Sequence, residues 1–97
     1  MIKVVIEKNK IEITGHANYD EYGKDIVCAS VSSIVITSIN ACLEIDEESI
    51  LYEDLENKIK IEILKEDKIT EKLINNMVFM LESLEKDYPK NIKILRR

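Results

Sequence analysis

The 97-residue chain has no Trp, a single Phe, a single Pro, two Gly and two Cys. With so few aromatic side chains, its core must be largely aliphatic, built from Ile, Leu and Val. A chain of this length can bury one core but cannot form two lobes with a cleft between them, so we expect a single domain over residues 1–97. Any active site must therefore be built from a few neighbouring segments.

The sequence also lacks an excess of basic residues. Its 14 Lys and Arg are outnumbered by 19 Asp and Glu, which gives a formal net charge of −5. Binding to nucleic acid relies on clustered Lys and Arg that displace counterions from the phosphates. We therefore expect no direct contact with nucleic acid and, instead, a neutral or basic protein partner.

No segment has the character of a signal peptide. Charges interrupt the first apolar stretch, MIKVVIEKNK, and no small-residue cleavage site follows it. The longest uncharged run, residues 26–43, contains Ser, Thr and Asn, so we expect a buried helix of a soluble protein and not a membrane span. These features predict a cytoplasmic protein without membrane contact.

Histidine and cysteine are too scarce for a structural zinc site. One His and two Cys cannot ligate the metal without carboxylates, and no close Cys or His spacing is present, so we expect no metal. On one continuous helix Cys28 and Cys42 would lie about 20 Å apart, which excludes an intrachain disulfide. We expect Cys42 to be a small buried core residue.

Alternation of apolar and polar residues predicts two β-hairpins. The first spans residues 2–14 with its turn at residues 8–10, and the second pairs residues 50–55 with residues 59–63 around a turn at Asn57. The polar stretch from 17 to 24 has no period and contains Gly23, so it predicts a loop.

Two helices are predicted between and after the hairpins. Residues 25–44 are assigned as helix because the segment is long and has no turn signal, although its Val, Ile and Thr favour strand. Its apolar residues spread around much of the circumference, so we expect cover on more than one side and a homodimer along this helix. The second helix has apolar residues every three or four positions from Ile69 to Tyr88 and ends at Pro89.

A final strand over residues 91–95 completes the order ββαββαβ. This order predicts an α+β fold, a mostly antiparallel sheet of about five strands with two helices packed on it.

The residues that could carry chemistry flank the predicted loop. His16 follows the second strand, and Cys28 falls in the first turn of the first helix, where the helix dipole favours a thiolate. An imidazole within hydrogen-bond reach could stabilise that thiolate and later protonate a leaving amine. Asp25 could cap the helix or orient His16, and Ser32, one turn after Cys28, could orient the site or stabilise an oxyanion.

The loop itself contributes further candidates. Tyr19 and Tyr22 could contact a peptide, and the two glycines of the chain, Gly15 and Gly23, both lie here and indicate special backbone geometry. Ordinary roles remain open for all of these residues: a buried Cys, a surface His, a simple Asp cap, a Ser hydroxyl bonded to the preceding turn and exposed loop tyrosines.

Two motifs across the loop, GHA (residues 15–17) and DIVCASVS (residues 25–32), resemble the ribosomal-processing cysteine protease Prp family. The order of predicted elements also agrees with that family over essentially the whole chain, although outside the motifs the likeness is one of pattern only. Ser30 stands where the family commonly has Ala.

The resemblance implies a homodimeric cysteine endopeptidase that uses neither metal nor organic cofactor. Cys28 would be the nucleophile and His16 the base, with Asp25 and Ser32 as supporting residues and the loop covering or admitting substrate. The implied substrate is the large-subunit ribosomal protein L twenty-seven, whose N-terminal extension is removed during ribosome assembly.

Two other functions compete with this one. The first is a noncatalytic ribosome-associated module that binds a peptide, with Cys28 as a packing residue. The second is a thiol-dependent enzyme of another kind, such as a redox sensor, but Cys42 lies out of reach as a resolving cysteine.

Overall fold

The computed structural model of the chain describes residues 1–15 and 26–97. Seven elements follow one another in these residues: β1 (Ile2–Glu7), β2 (Lys10–Thr14), α1 (Ile26–Ile45), β3 (Ile50–Leu55), β4 (Lys58–Ile63), α2 (Lys68–Asp87) and β5 (Ile92–Arg96). The predicted order and the α+β class are confirmed. The predicted loop at 17–24 lies outside the described residues.

Within the described residues the strands form one sheet in the order β3-β4-β2-β1-β5. Both predicted hairpins are antiparallel, and β2 and β4 join them through a third antiparallel pairing. The last strand, β5, pairs in parallel with β1. The sheet is therefore mostly antiparallel, as predicted, with one parallel pair at its edge.

The two faces of the sheet differ in polarity because side chains alternate along each strand. In β1, Ile2 and Val4 are buried under the helices, whereas Lys3 is exposed on the opposite face. That opposite face carries ion pairs, such as the one between Glu12 Oε2 and Lys58 Nζ at 3.2 Å. Two layers result, with the core between the sheet and the helices.

Helix α1 is held by packing on one side. Its buried residues recur every three or four positions: Val27, Val31, Val35, Ile39 and Cys42. Ile26, Ile36 and Ile45 stay exposed, so residues 1–15 and 26–97 do not provide the expected cover on more than one side. The length and composition of α1 would also suit a membrane span, a property that core helices of soluble proteins share.

Helix α2 has the amphipathic pattern predicted for it. The Asp67 carboxylate caps its start by accepting a hydrogen bond from the Ile69 amide at 3.1 Å, which satisfies an otherwise unpaired donor. The helix ends at Asp87, two residues before Pro89, and the Tyr88 amide donates to the Leu84 carbonyl. It then leads into β5, which begins one residue later than predicted.

Candidate active site

A cleft of about 280 Å³ lies between the first turns of α1 and the β3–β4 turn. Its apolar lining includes Ile2, Ile13, Val31 and Ile59. Cys28 and Ser32 border it from α1, Gly15 from the end of β2, and the turn contributes Asp54, Leu55, Glu56, Asn57 and Lys58. The cleft thus brings together segments that are far apart in the sequence.

Strand register explains why the β3–β4 turn borders this cleft. Thr14 at the end of β2 pairs with Lys58 at the start of β4, so the turn that precedes Lys58 lies beside Gly15. The turn is formed by Glu56 and Asn57, as predicted for Asn57. Helix α1 packs on the same face of the sheet, which brings its first turns opposite the hairpin tip.

Cys28 is the third residue of α1, half-buried and packed against the core. Ser32 follows one helical turn later and is exposed in the same cleft, which confirms that the two residues share a helix face. The amides at the start of a helix carry partial positive charge. The position of Cys28 therefore suits a thiolate nucleophile.

The second cysteine has a different environment. Cys42 is 1% exposed in the core, and burial raises the pKa of its thiol. It accordingly plays the packing role predicted for it, and both cysteines are thiols and not disulfide partners.

Gly15 has the special backbone geometry that its position suggested. Its φ is 88°, and a Cβ atom built on it would collide with the carbonyl oxygen of Met1. Only glycine fits this position, where β2 ends and the chain continues into His16. Gly15 therefore brings the chain to the edge of the cleft one residue before the candidate base.

Five predicted site residues lie outside the described part of the chain: His16, Tyr19, Tyr22, Gly23 and Asp25. Their roles stay predictions. Among residues 1–15 and 26–97, no three His, Cys, Asp or Glu side chains are grouped as metal ligands.

The acidic side of the cleft was missed by sequence reasoning. Asp54 and Tyr52 share the helix-facing side of β3, because their register partners Ile59 and Ile61 both pack into the core. Burial, and then the nearby negative charge of Asp54, raise the pKa of Tyr52. The acidic run EDLE (residues 53–56) was visible in the sequence, but only the β2–β4 register brings it opposite Cys28.

Comparison with known proteins bears on this cleft. The family model described as Cysteine protease Prp matches residues 1–93. The chain belongs to the cysteine protease Prp family. The Ribosomal processing cysteine protease Prp of Bacillus subtilis is 32% identical over 93 residues, covering 86% of this chain and 80% of that protein. The Prp of Staphylococcus aureus is 34% identical over 83 residues, covering 82% and 78%.

Solved structures of Prp agree with this assignment. An essential ribosomal processing protease Prp from S. aureus, crystallised with a covalently linked product peptide, superposes with a TM-score of 0.90 at 28% identity over 100% of both chains. A second S. aureus Prp structure, in complex with a substrate peptide, has a TM-score of 0.89 at 24% identity and shows the same fold. The resemblance drawn from the two motifs is confirmed, and the chain is a cysteine peptidase of the Prp family.

Proposed function

We propose that this Prp-family peptidase removes the N-terminal extension of the large-subunit ribosomal protein L twenty-seven during ribosome assembly in the cytoplasm. The proposal rests on Cys28, which lies in the first turn of α1 and borders a cleft that also receives Gly15, the residue before His16. The ribosomal processing named for the B. subtilis and S. aureus relatives supports this substrate class. The net charge of −5 suits a basic ribosomal protein, since opposite potentials favour encounter.

The mechanism begins with attack of the Cys28 thiolate on the scissile carbonyl carbon. His16 protonates the leaving amine as the C–N bond breaks, which leaves a thioester between Cys28 and the acyl fragment. A water molecule, deprotonated by the same imidazole, then hydrolyses the thioester and restores the thiolate. The covalently linked product peptide of the S. aureus Prp structure is consistent with covalent catalysis in this family.

Supporting roles follow from position in the sequence and the fold. The backbone amides at the start of α1 stabilise the oxyanion, and Ser32 orients the site from the same face of the helix. Asp25 caps α1 or orients His16, and the loop with Tyr19, Tyr22 and Gly23 covers or admits the peptide. This chemistry needs neither a metal nor an organic cofactor.

The decisive experiment compares cysteine variants on the natural substrate. The purified protein is incubated with the host's own L twenty-seven carrying its extension, and the mass of the product is measured. Cys28→Ala should abolish cleavage while the circular dichroism spectrum and unfolding transition stay native. Cys42→Ala is the matched control, which should lose stability by cavity formation yet retain cleavage. Normal processing by Cys28→Ala would end the proposal.

Membership of the Prp family argues against the noncatalytic binding module, in which Cys28 would only pack against the core. Alkylation separates the two functions. A peptidase thiolate at Cys28 should react with iodoacetamide well below the pH at which an ordinary thiol reacts. Cys42 should react only after unfolding, because burial raises the pKa of its thiol. Resistance of Cys28 equal to that of Cys42 would favour the binding module.

We also propose that the protein works as a homodimer joined along α1. The side of α1 that faces away from the core exposes Ile36 at 38% and Ile26 at 48%, which a second chain would cover. Sedimentation at micromolar concentration should give a dimer, and Ile36→Glu should shift it to a monomer. A monomeric wild-type protein under these conditions would overturn this part of the proposal.

A further inference from the structure

We propose that the outer backbone edge of β3 binds the substrate peptide as an additional strand and leads it to Cys28. The inference rests on the proposed peptidase function and adds a mode of substrate binding to it. Its starting point is that β3 lies at one end of the sheet, so among the described strands it pairs only with β4.

The pairing with β4 decides which backbone groups of β3 point outward. The amide of Leu64 donates to the carbonyl of Ser49 at 2.9 Å, so these two residues form a hydrogen-bonded pair that continues the antiparallel ladder. Such pairs alternate along a ladder, and every second residue of β3 therefore bonds to β4. The residues between them turn their N–H and C=O groups to the outside of the sheet: Ile50, Tyr52 and Asp54.

The two edge strands differ in how the described residues cover these outward groups. On β5 the amide of Ile94 donates to Oε2 of Glu85 at 2.8 Å, and the amide of Ile92 donates to the carbonyl of Tyr88 at 3.3 Å. On β3, no group within residues 1–15 and 26–97 makes a hydrogen bond to the outward backbone groups. These groups of β3 can therefore pair with another chain.

β3 also lacks the Pro, the bulge and the Lys that often protect an edge strand. Its six residues, ILYEDL, pair one to one with β4. Leu51 and Leu55 lie on the face of the sheet away from the helices and are 48% and 45% exposed. The side chains of an added strand would cover part of both leucines, so this edge offers apolar contact as well as main-chain hydrogen bonds.

The position of the cleft identifies the added strand as the peptide substrate. Asp54, the last outward-facing residue of β3, also borders the cleft that holds Cys28. An extended peptide rises by about 3.3 Å per residue, so pairing from Ile50 to Asp54 takes about five residues on one side of the cleaved bond. Addition of an extended peptide to a sheet edge is a recurring mode of peptide binding. The edge thus holds the part of the substrate that leads into the cleft.

Backbone-modified peptides test the inference, because strand pairing repeats every second residue. Peptides that contain the cleavage sequence are N-methylated at one residue at a time, which removes an amide donor and keeps the side chain. On one side of the cleaved bond, the kcat/KM of the wild-type protein should fall by about tenfold at alternate positions and little at the positions between them. Equal losses at neighbouring positions, or losses only at the cleaved bond, would overturn the inference.

Asp54→Pro and Asp54→Ala are the matched variants of the protein. Both remove the carboxylate, but only Asp54→Pro also removes the outward amide, which β4 does not use. Pro is tolerated on an edge strand where the missing N–H would face outward. The kcat/KM of Asp54→Pro should be about tenfold below that of Asp54→Ala. Equal kcat/KM in the two folded variants would contradict strand addition, and the peptide scan decides if Asp54→Pro does not fold.

Binding to the Cys28→Ala protein separates this inference from the proposed function. Fluorescence anisotropy of the labelled, N-methylated peptides should show the same alternation in Kd. Alternation in binding without any cleavage by the wild type would refute the peptidase function alone. Cleavage without alternation would refute strand addition alone. A dimer that Asp54→Pro, but not Asp54→Ala, converts into a monomer in sedimentation would assign the edge to a second copy of the chain and also overturn the inference.

Discussion

At Gly15 even one added methyl group should destabilise the fold. Its φ of 88° is strained for any residue with a side chain, and a Cβ there would meet the carbonyl oxygen of Met1. We expect Gly15→Ala to lower the free energy of unfolding by about 1–3 kcal/mol, measured by urea denaturation. Cleavage should fall as well, since Gly15 directly precedes His16.

A second substitution separates the two causes of that loss. Asn tolerates positive φ better than Ala, yet it brings the same Cβ towards Met1. Gly15→Asn should therefore be about as unstable as Gly15→Ala if the collision dominates, and clearly more stable if backbone conformation dominates. Wild-type stability in both variants would contradict the geometry of this position.

The two thiols show how environment decides the chemistry of one residue type. Cys28 is half-buried at the start of α1 and borders the cleft. Cys42 lies in the core, more than three turns further along the same helix. The sequence analysis placed Cys28 at the helix start and Cys42 in the core, and the structure has both there, because position in a helix can be read from the sequence. Burial of Cys42 also depends on the packing of α1, which the pattern indicated only in outline.

At the scale of elements, a helix side chain covers part of the backbone at one edge of the sheet. Edge strands offer unpaired N–H groups that can recruit another strand. On β5, the amide of Ile94 donates to Oε2 of Glu85 on α2 at 2.8 Å. The helix thereby occupies one hydrogen-bonding position of this edge.

Glu85→Ala should consequently destabilise β5. Loss of a hydrogen bond to a carboxylate should lower the free energy of unfolding by about 1 kcal/mol and speed hydrogen exchange at the Ile94 amide. Glu82→Ala is the matched control on α2. It removes only an exposed ion pair with Arg96, 2.9 Å long, and should change stability by less and leave exchange at Ile94 unaltered. Equal exchange at Ile94 in the wild type and in Glu85→Ala would refute this role.

The elements that could be predicted are those whose sequence patterns involve residues close together in the chain. Alternation over Ile59, Ile61 and Ile63 and the Asn57 turn depend on neighbours in sequence, and the second hairpin was predicted correctly from them. The parallel pairing of Ile2 with Ile92 depends on how α2 packs, which the pattern alone does not reveal. For the same reason the β2–β4 register, and with it the acidic side of the cleft, was not predicted.

At the scale of the whole molecule, carboxylates connect elements that are distant in sequence. Glu12 of β2 lies 3.2 Å from Lys58 of β4, and Asp46 after α1 lies 3.0 Å from Lys65 after β4. Both carboxyls have pKa values below their usual range in the folded protein. For Glu12 the main cause is the hydrogen bond from Lys58, followed by the one from Lys10. Folding is therefore coupled to pH, in part through contacts between elements.

Asp46 gives this coupling a direct test. The hydrogen bond from the Glu48 amide is the main cause that holds the pKa of Asp46 below its usual value. The ammonium of Lys65 is the second cause. As the pH falls, the unfolded chain therefore takes up the proton before the folded protein does, and the free energy of unfolding decreases. The stabilisation from Asp46 should be complete above about pH 5, should begin to decrease near the usual Asp pKa of about 4, and should continue to decrease towards the lower pKa of the folded protein.

Urea denaturation of Asp46→Asn in steps from about pH 6 to about pH 3 measures this contribution. The variant should be less stable than the wild type at the upper end, and the difference should narrow towards the lower end as the wild-type carboxyl takes up its proton. Lys65→Met is the matched variant. It removes the ammonium but keeps the Glu48 amide, which is the larger cause, so it should retain most of the pH dependence. Parallel curves for the wild type and Asp46→Asn would mean that Asp46 does not couple folding to pH.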